Sequence, residues 1–406
     1  MNFLFFCLDS GPDGLIAILR VLARHHSLQS IDLSRNENIG PSFDFWDTAS
    51  SLLSLPMPIF SGLTYLDLSE CQLDAKSCTT LLKAMQPIGT NADADEEEPS
   101  TTAKTTRNLV LKLNSNNLSD PHHIKDMMDL LARCNLVSEL HVSRCQIGDD
   151  GLTQIVDECC RSSKQSTDND DDDESNCHFF LRQLDLSHNN LTSVAYLANR
   201  LHLSAGGISH GDFHFFSDLR VLNLSGNPLG QNLMTAIESN AQWMPSLEEL
   251  DISHTSCEIP GAVELIRRSD SRNSSLKKLN IFGNKLGSDG FLEVCKVLQG
   301  GHSSLEYLDL GGNGATESGC VALLEAFKNV SRKDDEQNTT ETKWENTLRT
   351  LVVGGNKGGA ALEKVVKEVQ KIHPDLDVAR DKAKRNNNDM AGGNMINNTP
   401  GTTWMS

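Results

Sequence analysis

The sequence predicts an α/β solenoid, a right-handed horseshoe of about 11 repeats with parallel strands on its concave face and helices on its convex face. Three consecutive phrases carry this prediction: LRVLNLSGNPL from Leu219, LEELDISHTSC from Leu247 and LKKLNIFGNKL from Leu276. A fourth, LEYLDLGGNGA, follows at Leu305, and the leading leucines are 28, 29 and 29 residues apart. A constant period in this range indicates that one structural unit is stacked repeatedly.

Each phrase predicts a short strand followed by a turn. Apolar residues alternate, as at Leu222 and Leu224, so that one strand face points inward and the other is polar. Asn227 closes its phrase where the chain leaves the strand, and its amide can bond turn backbone groups that the strand ladder does not reach. We therefore expect a ladder of buried amides along the stack.

A helix is predicted after each turn. From Ser288, SDGFLEVCKVLQ places four apolar residues on one face, and Ser288 or Asp289 is suited to cap the start. The four residues are Phe291, Leu292, Cys295 and Leu298. Such a unit cannot cover its own apolar face, so its stability depends on burial against both neighbours.

The repeats are predicted to form one domain over residues 1–380, beginning with a strand near Phe3 and ending with a short strand after Leu376. Polar or acidic insertions interrupt them near 86–107, 161–178, 203–217 and 331–344, and residues 381–406 are predicted to be a disordered tail. The most acidic insertion contains DNDDDDES from Asp168. We interpret it as a solvated loop, with docking of a basic partner as the alternative.

The composition narrows the class of partner and the compartment. A net charge of -19 argues against nucleic acid or an anionic membrane and favours a basic protein surface. No apolar run approaches the roughly 18 residues of a membrane span, and MNFLFFCLDS does not resemble a signal peptide. The 11 cysteines, most of them at core positions, predict free thiols in a reducing compartment. We expect a cytoplasmic or nuclear monomer.

No motif in the sequence predicts catalysis. The sequence contains no phosphate-cradling loop, no nucleophile elbow and no set of metal ligands with a standard spacing. His202, His210 and His214 lie close together, but their spacing matches no standard zinc site and favours a loop. We therefore predict a non-enzyme without cofactor or metal.

The candidate partner-binding residues lie on the outward face of the strands. Acidic or polar residues recur between the second and third apolar positions of each phrase, and aromatic residues flank them on the same face, as binding sites usually require. The predicted site residues are Asp32, Tyr65, Asp67, His141, Asp185, Asp251, Phe282, Tyr307 and Asp309.

The phrase Leu-x-x-Leu-x-Leu-x-x-Asn is typical of leucine-rich repeats, and from Phe3 to Val378 the chain resembles the ribonuclease-inhibitor-like type. That family alternates asparagine and cysteine at the turn. The same alternation occurs here at Asn36, Cys71, Asn116, Cys145 and Asn189. The resemblance implies the fold more strongly than the function.

Three functions remain open at this stage. The first is a non-catalytic scaffold that binds a basic protein surface through the acidic concave strands. The second is a GTPase-activating protein similar to the activators of the GTPase Ran, because IGDDG from Ile147 and LGSDG from Leu286 are similar to their motifs. Arg35 and Arg144 lie beside strand ends, but neither belongs to a motif that identifies a catalytic arginine. The third is the sensor fragment of a larger receptor.

Overall fold

The computed structural model describes residues 3–5, 14–15, 17, 28–40, 63–84, 108–134, 137–161, 181–198, 219–238, 246–269, 274–299, 304–328 and 347–380. The predicted insertions, apart from Arg161, and the predicted tail at 381–406 lie outside these residues.

Twelve strands form one parallel sheet in which every strand pairs with its neighbours in the sequence. They are β1 (Phe3–Phe5), β2 (Ser30–Asp32), β3 (Tyr65–Asp67), β4 (Leu109–Lys112), β5 (Val137–His141), β6 (Gln183–Asp185), β7 (Val221–Asn223), β8 (Glu249–Asp251), β9 (Lys278–Asn280), β10 (Tyr307–Asp309), β11 (Thr350–Val352) and β12 (Asp377–Ala379). The predicted first and last strands are thus confirmed.

Helices connect most of the described strands. A 3-10 helix spans Glu37–Ile39, and the α-helices are α1 (Ala75–Ala84), α2 (Pro121–Cys134), α3 (Gly148–Arg161), α4 (Gln231–Glu238), α5 (Ile259–Ser269), α6 (Gly287–Gln299), α7 (Glu317–Lys328) and α8 (Ala360–Ile372). Residues 195–198 are also helical. The order of strands and helices confirms the α/β solenoid.

The core lies between the sheet and the helices. On the strands, the central leucine of each phrase points inward, and Leu222, Leu279 and Leu308 are fully buried. Neighbouring strands repeat this position in register, so each leucine packs against its counterparts on both sides. The apolar alternation therefore gives one continuous core, not one core per repeat.

Helix α6 shows one difference from the predicted buried face. Phe291, Cys295 and Leu298 are buried as predicted, but Leu292 is 42% exposed and Val294 takes its place in the core. Residues 291, 294, 295 and 298 follow the i, i+3, i+4, i+7 spacing of one helical face, and residue 292 is turned about 100° away from residue 291.

The predicted ladder of buried amides is present at the turns. The Asn227 Nδ2 donates to the carbonyls of Leu186 and Leu224, while its Oδ1 accepts from the backbone N–H groups of Asn189 (2.8 Å) and Leu191 (3.1 Å). One asparagine thus closes its own turn and binds the preceding repeat. Equivalent bonds are made by Asn116, Asn189, Asn284, Asn313 and Asn356.

The cysteines at the turn positions are free thiols, as predicted. Cys71 and Cys145 donate through Sγ to the carbonyls of Leu33 and Leu113, each at 3.1 Å. Burial raises the pKa of Cys145 to about 12, so that its sulfur stays protonated and acts as a donor. Six cysteines are free and buried, namely Cys71, Cys78, Cys145, Cys257, Cys295 and Cys320.

Candidate binding face

The strand registers bring all of the predicted site residues except Phe282 into two rows on the polar face of the sheet. Asp32 pairs with Asp67 and Asn280 pairs with Asp309, which places the aspartates in one row that we call the aspartate row. Tyr65, Glu139, Glu249 and Tyr307 belong to the neighbouring row, two residues earlier in each strand. Because β-strand side chains alternate, both rows share one face.

The aspartates of this row close the turns that follow their strands. In each, Oδ1 accepts the backbone N–H two residues later, a bond that fixes the direction in which the chain leaves the strand. The donors to Asp32, Asp67, Asp185, Asp251 and Asp309 are Ser34, Ser69, Ser187, Ser253 and Gly311, at 2.7–3.0 Å.

Several of these carboxylates are less exposed than the sequence predicts. Asp67 is 9% exposed, Asp251 is 3% exposed and Asp309 is fully buried, whereas a solvated acidic face was expected. The physical reason is that the side chain folds back onto its own turn to satisfy a backbone donor. Position in the repeat therefore does not by itself predict exposure.

The second carboxylate oxygen is also bonded in three of these residues. Tyr65 Oη donates to Asp67 Oδ2 at 3.0 Å, and Tyr307 Oη donates to Asp309 Oδ2 at 3.3 Å. The Asn280 amide donates to Asp251 Oδ2 at 2.7 Å. Both tyrosines are consequently half-buried and held in one orientation, and burial together with the Asp67 charge raises the pKa of Tyr65.

Phe282 lies at the turn that follows β9, beyond the two rows. Its ring meets the His254 imidazole edge to face with centroids 5.2 Å apart. Two features require glycine at position 312. A Cβ there would stand 2.7 Å from the Phe282 ring, and the φ of +62° lies in the left-handed region that glycine adopts without strain. The ring is half-buried against the next turn and is not fully exposed.

His141 lies between two carboxylates on the strand face. Its Nε2 is 3.8 Å from Glu139 Oε2 and its Nδ1 is 3.9 Å from Asp185 Oδ2. Burial opposes protonation of the imidazole, but the carboxylates of Asp185 and Glu139 outweigh it and raise the pKa of His141. The same contact helps to hold the pKa of Asp185 below its usual value despite burial.

Charged residues that were not predicted as site residues lie on the same face or at the edge where its strands begin. Glu248 and Lys277 pair at 2.9 Å, Glu249 and Lys278 pair at 2.6 Å, and Arg220 approaches Glu248 at 3.5 Å. Arg182 and Arg220 directly follow the first leucine of their phrases. Comparing that one position across all repeats would have identified them.

The described residues contain a surface recess but no candidate metal site. A recess of about 650 Å³ lies beside β12 and is lined in part by Asn356, Leu362, Glu363, Asp377 and Arg380. Within the described ranges, no group of three or more histidine, cysteine or acidic side chains is arranged to hold a metal ion. No described helix has the length and apolar character to span a membrane.

Sequence comparisons agree with this repeat architecture. Family profiles described as leucine-rich repeats match residues 133–156, 177–195, 218–240 and 272–295. The ribonuclease inhibitor of Sus scrofa is 27% identical over 231 residues, 48% of this chain and 50% of the relative. The NACHT, LRR and PYD domains-containing protein 14 of Mus musculus is 42% identical over 60 residues, 15% of this chain and 6% of the relative. The chain thus spans half or less of these relatives.

The structural comparison finds a chain of the yeast Rad7 and Elc1 complex. Its TM-score is 0.35 and its sequence identity is 16%, with coverage of 92% of this chain and 89% of that one. A Listeria monocytogenes internalin has a TM-score of 0.33, 13% identity and coverage of 85% and 90%.

The repeat phrases, the turn ladder and the profile matches together define the class. The chain is built of leucine-rich repeats and is similar to proteins of the ribonuclease-inhibitor-like type. Proteins of this kind generally mediate protein–protein interactions and are typically non-catalytic.

Proposed function

We propose that this protein is a non-catalytic scaffold that binds a protein partner through its strand face. The observation that carries the proposal is the fixed, half-exposed state of Tyr65 and Tyr307, whose hydroxyls are held by Asp67 and Asp309. A side chain held in its free state loses little conformational entropy on binding, and rigid aromatic residues are frequent anchors of interfaces.

A protein as partner is also supported by the shape of the face and by one relative. The two rows run over ten paired strands, β2 to β11, and a surface of this kind suits a macromolecule better than a small ligand. The curated relative from Sus scrofa is named as an inhibitor of another protein, a ribonuclease.

We propose a basic surface on the partner opposite the two ends of the strand face. Asp32, Asp67 and Glu70 lie at one end, where Arg35 is the cation, 3.7 Å from Glu70. At the other end, Lys277, Lys278 and Arg349 lie among a larger number of carboxylates, those of Glu248, Glu249, Asp251, Glu306 and Asp309. Excess negative charge at both ends favours approach of positive charge.

Affinity capture with mass spectrometry tests the proposal. The wild-type chain is compared with Tyr65→Ala/Tyr307→Ala, which removes the anchors, and with Gln183→Trp, which adds bulk between them. Leu292→Ala on the helix side, where the side chain is 42% exposed, is the matched control. A partner captured by wild type and control but lost by both strand-face variants is expected. Capture that survives both strand-face variants overturns the proposal.

The charge of the partner is tested in the same assay. Capture is repeated at low and high salt, and a basic partner is expected to dissociate earlier as screening increases. The GTPase activator and the receptor fragment remain alternatives from the sequence, and no contact among the described residues favours either.

A further inference from the structure

The middle of the strand face has the opposite charge balance from its ends. Along β4 to β7, the repeat phrases carry four permanent cations, two directly before their strands, one at the end of β4 and one in the turn after β5. The only carboxylates in these four phrases are Glu139 and Asp185, on either side of His141. The cations are Lys112, Arg144, Arg182 and Arg220. We call these seven residues the central zone. It is a positive zone on a chain whose net charge is -19.

Two of the cations are available for an incoming partner. Arg144 and Arg182 are exposed, and neither makes an ion pair with another described residue. Lys112 lies over the Tyr65 ring at 5.2 Å from its centroid, and Arg220 is 3.5 Å from Glu248 at the edge of the zone. Guanidinium groups bind carboxylates with two parallel hydrogen bonds, which makes exposed arginines suitable receptors for acidic side chains.

The turn geometry holds Arg144 at the rim of the zone. Its φ is +57°, in the left-handed region that the described turns after β2 to β11 all adopt at this position. The backbone N–H of Arg144 donates to the Ser187 carbonyl at 3.0 Å, so the residue is fixed to the next repeat. Its side chain is therefore displayed from a rigid support.

From these observations we infer that the central zone binds an acidic segment of the protein partner, while the acidic ends of the face contact basic surface on either side of it. This inference rests on the proposed function, and it specifies that the part of the partner bound at the middle of the strand face is acidic. It departs from the composition, which predicts a basic partner alone.

The dimensions of the zone favour an acidic protein segment over nucleic acid. Four neighbouring strands span about 15 Å, because strands are roughly 4.8 Å apart, and the distance along the strands from the level of Arg182 to Arg144 is about 20 Å, because the rise is about 3.3 Å per residue. A polynucleotide longer than a few residues would extend its phosphates onto the acidic ends of the face, where repulsion opposes binding. A short run of aspartate or glutamate flanked by basic residues meets no such opposition.

Binding of defined probes to the full chain tests the inference. Fluorescently labelled octapeptides of glutamate, of lysine and of alternating glycine and serine, and an eight-nucleotide oligo(dT), are titrated at low ionic strength by anisotropy. The test variant is Arg144→Glu/Arg182→Glu. Glu70 already occupies the equivalent turn position with a φ of +59°, so glutamate is compatible with the backbone at Arg144.

The matched control is Lys367→Glu/Lys371→Glu on exposed positions of α8, which changes the net charge by the same amount. We expect the glutamate peptide to bind wild type and control alike and to lose about tenfold or more in affinity with the test variant. Equal loss in both variants, or no binding to wild type, overturns the inference. Tighter binding of oligo(dT) than of the glutamate peptide assigns the zone to nucleic acid and also overturns it.

The captured partner separates this inference from the proposed function. If Tyr65→Ala/Tyr307→Ala abolishes capture while Arg144→Glu/Arg182→Glu leaves it unchanged, the strand face binds a protein without using the central zone. The proposed function then stands and the inference fails.

Discussion

The turns after β3 and β5 carry cysteine, whereas those after β7, β9 and β10 carry asparagine, and the two groups join neighbouring repeats differently. Asn227 accepts two backbone N–H groups of the preceding repeat and donates to one of its carbonyls. Cys145 makes a single side-chain bond across the repeats, to the Leu113 carbonyl. The asparagine turns are therefore joined through the side chain.

The cysteine turn at β5 uses the backbone instead. Leu118 occupies the same position in its repeat as Leu191 does in its own. The backbone N–H of Leu118 donates to the Cys145 carbonyl at 2.8 Å. A buried N–H requires an acceptor. The asparagine side-chain oxygen provides it in one kind of turn, and the cysteine backbone carbonyl provides it in the other. The comparison shows that the same turn tolerates a less polar residue wherever the backbone can replace the missing side-chain oxygen.

Asn227→Ala breaks an asparagine turn and is expected to have the largest effect. It leaves the buried N–H groups of Asn189 and Leu191 without their acceptor, and each unsatisfied group costs on the order of 1–3 kcal/mol. We expect a loss of roughly 3–4 kcal/mol in the free energy of unfolding.

Urea denaturation measures the total loss, and hydrogen exchange at the amides of Asn189 and Leu191 locates it. Asn108→Ala, at an exposed asparagine before β4, is the control and should change stability by less than about 0.5 kcal/mol. Unchanged exchange at both amides would show that the side chain does not join the repeats.

Cys145→Ala applies the same truncation to a cysteine turn and should cost less. The substitution removes the bond from Sγ to the Leu113 carbonyl, but the Leu118 N–H keeps its backbone acceptor. A loss of about 1 kcal/mol is expected, the net contribution of one ordinary hydrogen bond. If urea denaturation gives the same loss for Cys145→Ala as for Asn227→Ala, the two kinds of turn do not differ in the way proposed.

The sequence predicts the repeated elements well because their cause is local. Leucine alternation places Leu308 in the core and the asparagine slot places Asn313 at the turn, and both are buried. Exposure on the strand face depends on neighbouring repeats instead. Asp309 and Asp32 occupy the same position of their phrases, but Asp309, with bonds to Gly311 and Tyr307, is buried, whereas Asp32 is half-buried.

The charge pattern of the face was the other feature that the sequence did not reveal. The net charge of -19 is a sum over the whole chain, and it conceals the positive balance of the central zone. Arg182 directly precedes β6 and Arg144 lies in the turn after β5, so the parallel register places them on neighbouring repeats at opposite ends of the strands. Composition cannot report such an alignment.

The smallest predicted effect is a pH dependence of the free energy of unfolding. It is measured for His141 in the central zone and compared with that of Lys278 at the neighbouring acidic end. The pKa of His141 is raised above 6.5 in the folded protein, where Asp185 and Glu139 outweigh the effect of burial. Its contribution to stability is therefore fully present below pH 6.5 and is lost as the pH rises through the folded-state pKa. Asp185 acts in the opposite direction: its pKa is lowered from 3.8, and its contribution is lost only on acidification below that value.

The free energy of unfolding is measured for wild type and His141→Gln between pH 5 and pH 9, a range chosen to bracket the usual histidine pKa of about 6.5. The advantage of wild type over His141→Gln should be greatest at the acid end and should decline above pH 6.5. Lys278→Gln, which removes the 2.6 Å pair with Glu249, is the control and should give a difference that stays constant over this range. Its effect should be below about 1 kcal/mol, because Lys278 is an exposed partner. A wild-type advantage that grows with pH would mean that the carboxylates do not outweigh the burial of His141.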